Sequence, residues 1–494
     1  MRENRKGIGS GKKRNRSSPA NGIHMEKNVT DKEADDLTNI RSDLLEIIKE
    51  EERVLTGEIP HEYLSDKLGR KEGTAQAVVL AKSTDEVSRI LKYAYNRNIP
   101  VTPRGAGTNL VGSTVPDQGG IILDVSGMNR ILSFDPDTLS VTVQPGVLLK
   151  DVQAYVEERG LFYPPDPGEK SASIGGNIAT NAGGMRAVKY GVTRDYVRAL
   201  EVVTADGKVL NVGSKNVKDT TGLSLKNLVI GSEGTLAVIT GAVLRLVAKP
   251  EAQISIVVPY PDLRTGIESV LTLLRADLNP VAIEFMERKV VAMGEKYTGI
   301  AYPRPDAGSY ILLSFDGHKE IVEESVRKAS DLARETGAMD FVVLNDREKS
   351  NAIWAVRGDL VNAVEAVSEQ EPLDIVVPID RTADFVEYVN ALEVKTGIRL
   401  ISFGHAGDGN VHLCVVRGDR DEETWEKDLD QVLTELYEEV RRMGGLISGE
   451  HGLGVSKRKY FFHETSKEIV DLMNRVKDAF DPKHILNDQK SYVR

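Results

Sequence analysis

The chain has 494 residues, enough for two to four domains with a sizeable core at roughly 100–200 residues each. Hydrophobic residues make up 40% and charged residues 28%, ordinary for a folded soluble protein and too apolar for disorder. The 64 basic and 75 acidic residues leave a net charge of -11, which speaks against a general nucleic-acid binder, and the single cysteine, Cys414, excludes an internal disulfide, a cysteine zinc site or an iron–sulfur cluster. One thiol fits a reducing, cytoplasmic compartment, where redox chemistry would need an organic cofactor or a metal held by His and carboxylates.

Residues 1–24 hold seven basic side chains (Arg2, Arg5, Lys6, Lys12, Lys13, Arg14 and Arg16) and one acid, Glu3, among Gly, Ser and Asn. A secretory signal needs an apolar core and an organellar presequence an amphipathic pattern, so the segment reads as a vector-encoded leader ending at His24-Met25, or else a disordered basic tail. No later run approaches the ~20 apolar residues of a membrane span. Ser42 ahead of Leu44, Leu45, Ile47 and Ile48 predicts an N-capped helix, and Val87, Ile90, Leu91 and Ala94 after Thr84 predict a second. Strands are expected at 76–80, 121–125 and 140–143, then a helix at 147–158 stopped by Gly160. Strands at 197–204 and 208–212 flank Asp206-Gly207 as a hairpin.

The texture changes near Pro250. Beyond it, apolar strands (254–258, 281–286, 310–315, 341–344, 375–379, 400–403, 411–416) alternate with amphipathic helices at 265–275, 321–334, 351–367, 383–395 and 422–443. A last helix, 469–480, is stopped by Pro482. The expected units are thus a leader at 1–24, a strand-rich part with glycine loops at 25–250, an α+β layer at 251–455 and a C-terminal segment at 456–494.

Three glycine-dense segments lie in the first half. Residues 103–114, Pro-Arg-Gly-Ala-Gly-Thr-Asn-Leu-Val-Gly-Ser-Thr, lack the dinucleotide fingerprint because Leu110 takes the third glycine position. They are not an ATPase phosphate loop either, since Ser113 stands where the lysine is required. What remains is a run of unhindered backbone N–H groups able to cradle a pyrophosphate, or a simple turn. In 174–184, two Gly pairs separated by small residues suggest backbone lying against a flat ligand, or tight strand packing. The third, 231–235, reads Gly-Ser-Glu-Gly-Thr.

Two histidine motifs lie in the second half. Gly404-His-Ala-Gly-Asp-Gly-Asn-Val-His412 holds His405 and His412 across a turn, and Ser448-Gly-Glu-His-Gly-Leu-Gly454 adds Glu450 and His451. Two imidazoles and a carboxylate suit Zn, Mn or Fe with positions open for substrate oxygens; packed, hydrogen-bonded histidines are the alternative. Asp408 reads as a turn residue. Period-two geometry puts Cys414 on the same strand face as His412. Arg357 sits on the helix 351–367, where a surface salt bridge is the ordinary reading, and Lys457, Arg458 and Lys459 read as a solvated patch near a domain contact, with electron-partner docking the weaker alternative.

The glycine segments, in this order and spacing, resemble the FAD-binding half of the vanillyl-alcohol-oxidase-type flavoproteins. From about Lys71 onward the chain is similar to the branch of glycolate oxidase flavin subunits, D-lactate dehydrogenases and D-2-hydroxyglutarate dehydrogenases. The resemblance implies an α+β protein with a PCMH-type FAD domain (25–250), an α+β cap for substrate (251–455) and a C-terminal helical segment (456–494) returning to the FAD domain. It implies FAD held at the pyrophosphate by Pro103, Arg104, Gly105, Ala106, Gly107 and Thr108, with Gly112 and Ser113 in the same loop. Pro167, Ser173, Ile174, Gly176, Asn177, Thr180, Asn181, Gly183 and Gly184 would line the flavin side, and Gly231, Glu233, Gly234 and Ile239 the adenosine end. Some members tether flavin through a first-loop histidine; neither of the first two loops contains one, so FAD should be non-covalent.

In that branch, residues matching His405, His412 and Glu450 hold the metal, the one matching His451 is the base and the one matching Arg357 binds the substrate carboxylate. Cys414 stands where relatives acting on D-2-hydroxyglutarate carry an asparagine. The implied activity is oxidation of a short D-2-hydroxy acid, D-lactate favoured, by hydride transfer to flavin N5. Electrons would pass to a separate protein such as an electron-transfer flavoprotein or an iron–sulfur subunit. The alternatives are a glycolate or D-2-hydroxyglutarate dehydrogenase, a non-redox flavoenzyme like the alkylglycerone-phosphate synthases, and a non-catalytic electron-carrying flavoprotein subunit.

Overall fold

A computed structural model describes residues 31–494, with side chains from residue 39 onward; the leader 1–24 lies outside the described residues. The first helix, Asp31–Ile48, begins well before Ser42. Ser42 is therefore an interior helical residue and not the cap expected, because the apolar face already includes Ile40. Strands β1 (Val54–Thr56), β2 (Ala77–Leu80), β3 (Val101–Arg104) and β4 (Ile121–Asp124) form a sheet in the order β1-β2-β4-β3, parallel at its β2–β4 and β3–β4 pairs. The crossover between β2 and β3 is the helix Thr84–Arg97, capped by Ser83, whose hydroxyl accepts from the Glu86 N–H. Its buried stripe of Val87, Ile90, Leu91 and Ala94 packs on Ile121 and Leu123.

Next come β5 (Ile131–Asp135), β6 (Ser140–Val143), β7 (Leu161–Phe162), β8 (Val197–Thr204), β9 (Val209–Gly213), β10 (Ala237–Arg245) and β11 (Val247–Ala248). An antiparallel sheet runs β5-β6-β10-β8-β9, and β7 pairs with β11. The β8–β9 hairpin turns at Gly207, whose φ of 82° is the left-handed value that favours glycine. The second glycine segment differs from the loop its composition suggests. Residues Ile174–Thr180 form a helix, because the Ser173 hydroxyl caps it through the Gly176 N–H and Ile174 and Ile178 are buried in the core beneath.

The chain then enters a seven-stranded antiparallel sheet: β12 (Ala252–Tyr260), β13 (Ala282–Glu287), β14 (Ser309–Gly317), β15 (Val342–Leu344), β16 (Gln370–Val376), β17 (Leu400–His405) and β18 (Asn410–Val416). Its order is β15-β12-β14-β13-β17-β18-β16. Both faces are covered, so its strands read as near-continuous apolar runs rather than alternating ones. Ile283, Phe285, Val411 and Leu413 face one core with the helices Leu263–Arg275, Lys319–Glu335, Thr382–Thr396 and Glu422–Arg442. Met286, Phe403 and Cys414 face the other core with Val356, Leu360 and Val364. The single helix expected over 351–367 is two, Arg347–Gly358 and Leu360–Glu365, meeting at Asp359.

The chain ends on the first sheet. After the helix Lys467–Phe480, Ile485 and Leu486 enter the core of that sheet, and the Val101 N–H donates to the Ile485 carbonyl at 2.7 Å. Among the described residues no helix is long and apolar enough to cross a membrane.

Candidate active site

One cavity of about 640 Å³ lies between the glycine segments and the seven-stranded sheet. Strands β17 and β18 pair so that Phe403 faces His412 and His405 faces Asn410. The alternation of β18 puts His412 and Cys414 on one face, and both line the cavity. His405 ends β17, and its Nε2 lies 3.1 Å from His412 Nε2 and 3.5 Å from Glu450 Oε1. The donor atoms of His405, His412 and Glu450 all fall within 4.8 Å of one another.

Glu450 and His451 arrive on a loop without regular structure, and a buried carboxylate from β16 organises it. Asp374 Oδ2 accepts from the backbone N–H groups of Gly449 (2.9 Å), Glu450 (2.5 Å) and His451 (2.8 Å). Its other oxygen takes the Lys457 ammonium. Lys457 is 3% exposed, which corrects the solvated patch expected there: the ammonium is drawn in as the counterion of Asp374. Arg458 instead donates to the Val493 carbonyl, and Lys459 pairs with Asp430 at the surface. His451 Nδ1 lies 3.4 Å from Asp374 Oδ1 without hydrogen-bond alignment, and its ring stacks at 24° on His412.

Arg357 is not a surface arginine. It is 6% exposed, its Nε donates to Glu284 Oε2 at 2.8 Å, and its Nη2 lies 2.6 Å from the same oxygen but off-axis, without a hydrogen-bond partner. Glu284, fully buried in β13, also accepts from His405 Nδ1 at 2.8 Å.

The electrostatics follow from this crowding. Burial lowers His405, but the Glu284 carboxylate overrides it and raises the imidazole to about 9. Burial, then the charges of His405 and Arg357, push His412 well below its usual value. Burial, helped by Asp408, raises Glu450 to about 7. Burial likewise lowers His451, against the pull of Asp374, so that it is neutral near pH 7 and able to accept a proton. Asp408 accepts from the Asn410 N–H and stays outside the cluster, as a turn residue. Burial raises the Cys414 thiol to about 12.

The donor set of His405, His412 and Glu450 fits a divalent ion: two neutralisable imidazoles and a carboxylate converge, and His405 presents Nε2 because its Nδ1 is engaged. The opposite wall fits a flat dinucleotide. Pro103, Arg104, Gly105, Ala106, Gly107, Thr108 and Ser113 line it, with Pro167, Ser173, Gly176, Asn177, Thr180, Gly184, Glu233, Gly234 and Ile239. A Cβ on Gly105 would run into the Ser173 hydroxyl, so only glycine lets these two segments close on each other. Gly112, Ile174, Asn181, Gly183 and Gly231 stand off the cavity. Ile174 is a core residue, Asn181 accepts from the Arg194 N–H, and a Cβ on Gly183 would sit 2.7 Å from Glu450 Oε1.

Sequence reasoning missed Glu284, Asp374 and the role of Glu233. The Glu233 carboxylate accepts from the hydroxyls of Ser113 (2.5 Å) and Ser491 (2.9 Å) and the N–H groups of Leu453 (3.0 Å) and Gly454 (2.9 Å). It ties the first glycine segment, the loop of His451 and the C-terminal tail together. For Glu284 and Asp374 the signal is an acid inside an otherwise buried strand; Glu233 sits in a glycine turn that carries no such signal.

Residues 75–213 match the FAD binding domain family, and residues 249–491 match the C-terminal domain of FAD linked oxidases. The chain is 41% identical to a D-lactate dehydrogenase of Anaerostipes hadrus, over 91% of this chain and 97% of that one. It is 37% identical to the glycolate oxidase subunit GlcD of Bacillus subtilis, over 87% and 92% respectively. A solved p-cresol methylhydroxylase superposes with a TM-score of 0.76 at 18% identity, covering 94% of this chain and 98% of that one, a likeness of fold.

Proposed function

The chain belongs to the FAD-linked oxidase family, and we propose that it is an FAD-dependent dehydrogenase oxidising a short D-2-hydroxy acid, D-lactate first, to the 2-oxo acid. The observation that carries this reading is the convergence of His405, His412, Glu450, His451 and Arg357 on one wall of a cavity whose other wall is the glycine segments. When bound, FAD supplies a two-electron acceptor for the substrate's Cα hydride, and a Zn, Mn or Fe ion at His405, His412 and Glu450 supplies a Lewis acid for the hydroxyl oxygen.

The chain's own groups do the rest. Arg357 lines the cavity, and the edge of its guanidinium not held by Glu284 through Nε and Nη2 is offered to the substrate carboxylate. His451 takes the hydroxyl proton at Nε2, since its Nδ1 faces Asp374. The oxygen keeps the O–H electron pair, the C–H pair leaves as hydride, and the carbonyl forms. The tail of the substrate meets Val361, Pro372, Phe403 and Cys414, and the acid Glu365, 4.0 Å from Arg70 on its far side, is among the cavity residues. A methyl fits this wall; a second carboxylate would be desolvated beside a like charge.

One cysteine leaves no internal iron–sulfur cluster, and the acceptor favoured in this reading is a separate protein, an electron-transfer flavoprotein or an iron–sulfur subunit; a single thiol is compatible with a cytoplasmic site. Anaerobic mixing with a panel of D- and L-2-hydroxy acids tests the reading. D-lactate should bleach the flavin absorbance. A chain that binds FAD and bleaches with none of them would be an electron-carrying subunit or a non-redox flavoenzyme.

A further inference from the structure

Glu284 is a fully buried charge next to the cavity, and neither its strand nor its depth explains an acid there. It lies mid-β13 in Ala-Ile-Glu-Phe-Met-Glu, 0% exposed, opposite His405 in the sheet register. A carboxylate taken this far from water costs several kcal/mol unless its lone pairs are filled. Both partners that fill them belong to the candidate site. His405 Nδ1 lies 2.8 and 2.9 Å from the two oxygens, and Arg357 binds through Nε at 2.8 Å. A carboxylate only accepts, so Nδ1 carries the proton and Nε2 is the nitrogen turned to His412 and Glu450. The same oxygen that holds Arg357 also sets the plane of its guanidinium, which lies 5.0 Å over the Phe403 ring.

We propose that Glu284 is a positioning residue that couples the two halves of the substrate site: it sets the nitrogen His405 offers to a divalent cation and aims Arg357 at the substrate carboxylate. This rests on the reading of the cluster given above. One side chain then controls two binding events, metal and carboxylate, without touching either ligand.

The test uses the FAD-loaded chain, with Zn2+ competed against a chromophoric chelator and D-lactate kinetics at saturating Zn2+. Glu284→Gln keeps the volume but presents an amide N–H toward a donor. It should weaken Zn2+ binding by about 10-fold or more, as loss of a carboxylate behind a ligating histidine does. It should also raise KM for D-lactate more than it lowers kcat, with the flavin still bound. Glu284→Asp, which keeps the charge, should recover part of both and carries the test if Glu284→Gln does not fold. Wild-type Zn2+ affinity and KM in Glu284→Gln, or in Glu284→Asp where only that folds, would overturn the proposal alone. A wild type that takes up no Zn2+ and does not oxidise D-lactate would overturn this proposal and the functional reading together.

Discussion

Asp374 holds His451 twice over, accepting its backbone N–H at 2.8 Å through Oδ2 and facing its ring at 3.4 Å through Oδ1. The same carboxylate takes the N–H groups of Gly449 and Glu450, so a loop without regular structure is hung on one atom of β16. Replacing it removes an anion around which Lys457 is buried. Asp374→Asn should cost ~3–5 kcal/mol, the usual penalty for breaking one side of a buried ion pair. Thermal melts should show the loss, and Lys457→Met in the same chain should return part of it. If the single variant melts like the wild type, the loop is held by something else.

Glu233 does for the glycine-lined wall what Asp374 does for the loop of Glu450 and His451. Four donors from Ser113, Leu453, Gly454 and Ser491 share its two oxygens. In Glu233→Gln an amide would face some of these donors, and each buried group left unpaired costs ~1–3 kcal/mol. FAD retention on gel filtration should fall about 10-fold, because that cost lands on loops lining the cavity. Acid precipitation of the wild type should release all of the flavin, since neither of the first two loops offers a histidine tether. Colour left on the denatured chain would contradict it.

The motifs that were legible in the sequence are those in which chemistry is local. The spacing of His405 and His412, the Glu450-His451 pair and the glycine segments each sit within a few residues, and all of them reach the same cavity. Glu284 and Asp374 were not legible because their partners lie 121 and 77 residues away, and composition cannot show which acid meets which cation. Lys457 misled for the same reason: beside Arg458 and Lys459 it looks like surface, and only the fold brings Asp374 beneath it. The helix at Ile174–Thr180 was masked by its glycines, whose low propensity is outweighed by the Ser173 cap and the burial of Ile174 and Ile178.

Lys490 should give the protein a stability that depends on alkaline pH. It is 1% exposed, donating to the Ser113 carbonyl at 3.2 Å and to Asn487 Oδ1 at 3.0 Å, and burial lowers its ammonium to about 8. The unfolded chain keeps that proton up to ~10.4. Between these values the unfolded state binds more protons than the folded one, so stability rises with pH across this window. The full shift corresponds to ~3 kcal/mol. Urea unfolding at pH 8 and pH 10 should show about 2 kcal/mol of this gain in the wild type relative to Lys490→Met, which cannot titrate. A difference between the two chains that stays constant with pH would mean Lys490 is not desolvated.

On the proposed reading, Cys414 is the cavity position expected to select substrate size. It lies in β18 two residues past His412, on the same face, with Pro372 and Ile401 as its neighbours in register. A thiol is a weak donor and behaves as a small hydrophobe. With Val361, Pro372 and Phe403 beside it and the Glu365 carboxylate among the cavity residues, the wall accepts a methyl and leaves a second substrate carboxylate unpaired. The wild type should therefore show a higher kcat/KM for D-lactate than for D-2-hydroxyglutarate with an artificial acceptor. Cys414→Asn supplies an amide donor at that spot. One good hydrogen bond to a charged group is worth ~1.5–3 kcal/mol, so the ratio should move about 10-fold or more toward the diacid. Glu365→Gln, which removes the opposing charge, should move it the same way, and the two together further. A wild type that prefers the diacid, or a ratio untouched by either substitution, would show that this wall does not select the substrate.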